Sequence, residues 1–208
     1  MPTYKDKMSE AIIESAQSLF LEKSISKVLV SDIAKAAGIG EATVYRYFKT
    51  KQNLALKVAL KEWEHVFESF RGNIQGNGYD RLVAFYQIFY ATFQEHPNFF
   101  SFLFEFDQLI LNDTSLDFSG YQEALLKVKG LFDEAYQLGI DDGSIKQVAD
   151  KDLFYYTTTH ALLSLCKKLA TDNLIDKNVS VSKGDEIRLL IILIMNELKG
   201  GKGNETIK

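Results

Sequence analysis

Between Thr43 and Tyr47 the chain carries a hydroxyl, two phenols and a guanidinium on consecutive turns: Thr43, Tyr45, Arg46 and Tyr47. These side chains suit the surface of a nucleic-acid duplex. Arginine can give two parallel N–H donors to a guanine edge, worth about 1–3 kcal/mol of discrimination, or it can hold a phosphate. The sequence leaves both open for Arg46. Tyrosine and threonine hydroxyls bond phosphate oxygens, which positions a protein without reading sequence. Lys51 follows and Ser31 precedes, and both can reach a backbone from helix N-termini, where free N–H groups already favour anions.

Those residues need rigid elements beneath them. The stretch Ser31–Phe48, SDIAKAAGIGEATVYRYF, supplies two short helices and a tight turn. Ser31 is read as the N-cap of the first, with Asp32 in its first turn. Ile33, Ala34 and Ala37 share one face. Gly38 stands where the chain turns through positive φ, Ile39 plugs the turn, and a second helix runs from about Gly40 to Tyr47. Helix, glycine turn, helix is the pattern whose second helix enters the DNA major groove. Phe48 reads as the core wedge behind it, and Tyr47 has the same packing reading beside its DNA reading.

Composition agrees with a soluble globular chain. Hydrophobic content of 46% can fill a core, and prolines at positions 2 and 97 alone leave room for long helices. The single cysteine, Cys166, excludes an internal disulfide framework and a Cys-rich zinc site, and suits a reducing cytoplasm. No charge-free apolar run approaches the ~18 residues of a membrane span, and the polar N-terminus shows no signal peptide, so a cytoplasmic location is expected. The net charge of −4 divides unevenly. Residues 1–51 carry +2 and the remainder −6, which puts the small basic excess on the candidate DNA-binding segment.

The periodicity is helical throughout. Tyr4 to about Lys23 forms an amphipathic first helix. Thr50 caps a long helix over 51–71, the bridge to the rest, and the glycine-rich stretch 72–78 is a loop. Helices follow from Tyr79, from Pro97 to about Leu111, over about Tyr121–Leu138 with a stop at Gly139, from Asp150 or Asp152 to about Leu174, and over about Lys183–Lys199. Asn112–Gly120 reads as a polar loop, Asp141-Asp142-Gly143 as a turn, and residues 201–208 as a disordered tail. No run alternates with period two, so no sheet is expected. The fold class is all-α with about nine helices: residues 1–50 form a helix-turn-helix DNA-binding domain, and residues 51–200 a helical ligand-binding and dimerisation bundle. The last helix is apolar on nearly every side. At the end of a chain this size, its natural cover is a second copy.

Aromatic residues are concentrated in that bundle. Trp63, Phe85, Phe89, Phe102, Phe106, Tyr155 and Tyr156 are candidates to line a cavity for a flat or lipophilic ligand, against the plain reading that such stripes are core. His65, His96 and His160 lack ligand spacing, so no metal and no cofactor are expected. No nucleophile, paired-carboxylate or phosphate-loop constellation appears, so the chain does not read as an enzyme.

The stretch Ile13–Leu54 resembles the DNA-binding domain of the TetR/AcrR family of bacterial transcriptional regulators. The resemblance rests on Ala16, Leu19-Phe20, Asp32-Ile33-Ala34, Ala37-Gly38-Ile39, Thr43-Val44-Tyr45, Tyr47-Phe48, Lys51 and Leu54. Two positions depart: Ser24 stands where the family usually has glycine, and Gly40 where it has a small capping residue. The resemblance implies a homodimer paired through its last two helices, with its three-helix domains in successive major grooves of a near-palindromic operator. It makes Tyr45 a phosphate contact and Lys51 a grip on the DNA backbone. It also implies a small-molecule effector in the bundle, and most simply a repressor that the effector releases. A transcriptional activator, a ligand-independent DNA-binding protein and, from another class, a helical carrier or enzyme are the alternatives.

Overall fold

The computed structural model describes residues 3–71, 75–111, 113–171 and 181–200. Among them are nine α-helices: α1 (Tyr4–Glu22), α2 (Val30–Ala36), α3 (Glu41–Phe48), α4 (Lys51–Arg71), α5 (Gly78–Glu95), α6 (Pro97–Ile110), α7 (Ser119–Asp141), α8 (Lys151–Ala170) and α9 (Lys183–Leu198). A 3-10 turn, Ile25–Lys27, joins α1 to α2. The described residues contain no strand, only an isolated bridge between Ile145 and Lys199. The expected tail at 201–208 and the expected helix end at Leu174 lie outside the described residues. No described helix is long and apolar enough to cross a membrane.

Caps set most of the helix starts. The Thr50 hydroxyl accepts from the Asn53 N–H at 3.1 Å to open α4, Asp150 accepts from the Leu153 N–H at 2.9 Å to open α8, and Pro97 occupies the first turn of α6. Ser31 is not the cap of α2. That helix begins a residue earlier, with Leu29 at the cap position, because the Asp32 carboxylate reaches back to accept the Leu29 N–H at 3.0 Å. Ser31 is left half-buried in the first turn.

Gly139 does not end α7 either. The helix runs two residues further, to the turn in which Gly143 takes φ +71°. A Cβ built on Gly78, at the start of α5, would lie 2.0 Å from the Gly139 backbone nitrogen. The two glycines let α5 and α7 meet backbone to backbone, which is the reason for glycine inside a helix.

α1, α2 and α3 form the small N-terminal unit, and α4 carries it into the bundle. α5 is packed between α7 and α9, while α6 backs onto α8. The buried apolar core runs without interruption from Ile12 and Phe20 in α1 to Leu198 in α9. Phe20 stacks on Phe102 of α6 with ring centroids 6.3 Å apart, so the N-terminal unit is seated on the bundle through aromatic rings. α9 is less wrapped than its composition suggests. Ile187, Ile191, Met195 and Leu198 are buried, but Leu189 and Leu193 stand exposed one turn apart.

Candidate functional site

α3 is anchored by its inner face. Val44 and Phe48, four residues apart, are buried against α2 and α4, and Gly38 at φ +68° sets the angle between α2 and α3. The outer face therefore carries Tyr45 and Arg46 into solvent, with Thr43 and Tyr47 half-buried at its edges. Tyr45 is 48% exposed. The Arg46 guanidinium lies 5.7 Å from the centroid of the Tyr47 ring, which holds its long side chain along the helix surface. Tyr47 in turn packs against Phe48 at 6.3 Å. Glu41, in the first turn, is exposed.

Lys51 points elsewhere. Its ammonium donates to the Val28 carbonyl, inside the N-terminal unit. Burial lowers its pKa, and the nearby Glu105 carboxylate opposes that shift. Any grip on DNA at this position falls to the exposed turn around it. Glu105 of α6 has a further role: the Ser24 hydroxyl donates to it at 2.8 Å and the Ile25 N–H donates to the same oxygen. Ser24 is thus more than a substitute for glycine, because its hydroxyl ties the turn after α1 to the bundle.

Behind α4 the bundle holds a cleft of about 400 Å³. α7 packs on α4 and α5, α8 packs on α5, α6 and α9, and residues of both helices line the cleft. Trp63 and Phe89 form part of its floor and Tyr155 and Tyr156 one wall, so four of the seven candidate aromatics meet there. Phe85, Phe102 and Phe106 do not line it. Phe85 is packed edge-on against Tyr86 at 5.2 Å and Phe132 at 5.7 Å, while Phe102 and Phe106 stack on each other at 6.1 Å under α1. All three are core. The opposite wall, which the aromatic pattern did not suggest, is Leu125, Leu126 and Lys129 of α7, with Thr159, His160 and Leu163 completing the α8 side. The signal for α7 was the adjacent pair Leu125-Leu126, since two neighbouring leucines cannot both face one core.

Hydrogen bonds hold the walls in place. The Trp63 Nε1–H donates to the Tyr121 hydroxyl at 2.8 Å, and burial pushes that phenol up to about 12. Burial likewise pushes Tyr155 up to about 12, with Tyr156 adding to the shift and Lys129 opposing it. The Lys129 ammonium lies 5.6 Å from the Tyr155 ring centroid, 2.7 Å from Asp133 and 2.9 Å from Asp152. Lys151 approaches the other Asp133 oxygen at 2.7 Å without hydrogen-bond alignment. These paired charges cancel at the mouth, leaving a cleft that suits an apolar, mostly uncharged ligand. Cys166 is buried under α8, its thiol pushed up to about 12 by desolvation, which makes it inert.

Residues 12–58 match the family model described as bacterial regulatory proteins, tetR family. Within these residues the chain carries the TetR-family signature. The HTH-type transcriptional regulator AlkX of Mycobacterium tuberculosis is 29% identical over 88 residues, which cover 42% of each chain, so the match spans less than half of either protein. The HTH-type transcriptional repressor KstR2 of Mycolicibacterium smegmatis is 22% identical over 156 residues, covering 74% of this chain and 75% of the relative. Among solved structures, FadR from Bacillus subtilis in complex with stearoyl-CoA is similar with a TM-score of 0.61 and 19% identity, covering 90% of this chain and 98% of that one. This likeness is one of fold: the all-α arrangement, bundle included, is shared with that protein.

Proposed function

We propose that this chain is a cytoplasmic, homodimeric transcriptional repressor of the TetR family that binds a near-palindromic operator and is released by a small apolar or aromatic ligand. The observation that carries the DNA half is α3: its apolar residues are spent on anchoring, and its hydroxyl, phenol and guanidinium groups are turned outward. Thr43 reads a base edge, Arg46 meets a base edge or a phosphate, Tyr45 and Tyr47 hold phosphates, and Ser31 and the exposed turn before Lys51 flank them. The division falls at Lys51, with residues 1–50 reading DNA and residues 51–200 sensing and pairing. Leu189 and Leu193, left bare on α9, support pairing through the last two helices. A two-fold dimer would set its recognition helices ~34–36 Å apart, one turn of duplex.

The α7–α8 cleft is the effector site in this reading. It is apolar and sits behind the bridging helix through Trp63, and the structurally similar FadR from Bacillus subtilis was solved in complex with stearoyl-CoA, a lipophilic molecule. A ligand that parts α7 from α8 moves Trp63 and α4, and with α4 the N-terminal unit. Coupling must be mutual, so effector weakens operator binding by the factor by which operator weakens effector binding. Fluorescence anisotropy with a labelled duplex from the protein's own promoter, titrated with salt, tests the first half. Saturable binding with a steep salt slope is expected, and no binding at low salt overturns the reading. An effector that binds the cleft tightly while leaving operator affinity unchanged overturns the release mechanism.

A further inference from the structure

A second concavity, about 430 Å³, is bordered by α1, α4 and α5. α1 and α5 both pack on α4 and leave a groove between them. Leu21, Val66, Ile88 and Phe99 line its interior, while His65, Glu95 and His96 stand around it. Glu62 of α4 also lines it. The residue is 7% exposed, and one carboxylate oxygen accepts a hydrogen bond from the Gln17 amide of α1. Among the described residues no lysine or arginine pairs with it, and its neighbour Lys61 is engaged by Glu10 and Glu14 of α1. A mostly buried carboxylate whose hydrogen-bond donor is a neutral amide offers its charge to a cation entering the groove.

We propose that this α1–α4–α5 groove is a second small-molecule site, for an organic cation whose ammonium pairs with Glu62 and whose short apolar body lies along Val66, Ile88 and Phe99. The site is chemically the opposite of the α7–α8 cleft, where charges are already matched. Because Gln17 belongs to α1, an ammonium at Glu62 sits beside the contact that links the N-terminal unit to α4 at this point. The inference does not depend on the identity of the effector or on operator binding.

Calorimetry on the full chain with 4-phenylbutylamine and its neutral counterpart 4-phenylbutan-1-ol tests it. The amine is expected to bind at least about 10-fold tighter. Glu62→Gln keeps the hydrogen bond to Gln17 in shape but removes the charge, and it should bring the amine down to the affinity of the alcohol. Ala91→Trp, at an exposed position on the groove, should block both probes with Glu62 intact, and this variant stands in if Glu62→Gln fails to fold. Leu126→Trp, which fills the other cleft, should leave amine binding within about twofold. Equal binding of amine and alcohol, a preference surviving in Glu62→Gln, or loss of amine binding in Leu126→Trp alone would each overturn the proposal.

Discussion

Tyr45 and Tyr156 stand almost equally clear of the protein, 48% and 44% exposed, yet their surroundings suit them to different partners. Tyr45 rises from the convex face of a short helix beside Arg46, with no apolar neighbour to share a ligand. Tyr156 borders a concavity whose other walls are leucine, tryptophan and phenylalanine, and its ring lies 5.1 Å from that of Tyr155. Curvature and neighbouring charge, and not exposure, separate a group that meets a polyanion from one that meets an apolar molecule.

The largest effect should separate cleft aromatics from core aromatics. Phe132 is fully buried between Phe85, Tyr136 and Tyr155, the last with centroids 5.0 Å apart, so Phe132→Ala should cost about 3–5 kcal/mol in urea unfolding. Tyr156→Ala should cost less than about 1 kcal/mol, because its ring already meets water. Equal losses would mean that the cleft is part of the structural core and that no ligand space has been set aside.

That distinction explains what was legible in the sequence. Helix positions were, because Thr50, Asp150, Pro97 and Gly38 act through local hydrogen bonds and backbone angles that their own neighbours determine. The DNA-facing side of α3 was legible for the same reason, since Val44 and Phe48 fix it by spacing alone. The cleft was only half legible. Phe85 and Phe89 lie on the same inward stripe of α5, and only the packing of α7 and α8, a tertiary property, leaves space at Phe89 and none at Phe85. Gly139 looked like a helix stop because its real partner, Gly78, is far away in the chain. Lys51 showed a cation at a helix start but not the Val28 carbonyl that captures it.

The link between the two regions gives the next effect. Glu105→Ala removes the acceptor for both the Ser24 hydroxyl and the Ile25 N–H, and leaves Lys51 without its nearby carboxylate. A loss of about 1–3 kcal/mol is expected, with the N-terminal unit loosened from α6. Hydrogen exchange should rise at Ile25–Val28 and not in α7 or α8. Uniform exchange across the chain would show that Glu105 is an ordinary surface carboxylate.

On the convex side, Arg46→Ala should weaken operator binding about 10- to 100-fold, lower the salt slope and leave cleft affinity unchanged. If Arg46 reads a guanine, the loss should shrink on operators altered at one base pair. If it holds a phosphate, the loss should be the same on every duplex. Binding of an apolar probe in the cleft serves as the control, since α3 contributes no residue to the cleft lining.

The smallest change asks what the hydroxyls alone contribute. Tyr45→Phe keeps the ring and removes one phosphate donor, so operator affinity should fall by about 0.5–1.5 kcal/mol, with thermal stability unmoved. Tyr156→Phe keeps the cleft wall and should leave apolar-probe affinity within about twofold, since a lipophilic ligand gains from the ring and not from its polar tip. If instead Tyr156→Phe costs as much as Tyr45→Phe, the cleft recognises a hydrogen-bonding group at its rim. The ligand would then be amphipathic, held by the Tyr156 hydroxyl with His160, whose ring lies 5.8 Å away, at a polar edge of the cleft.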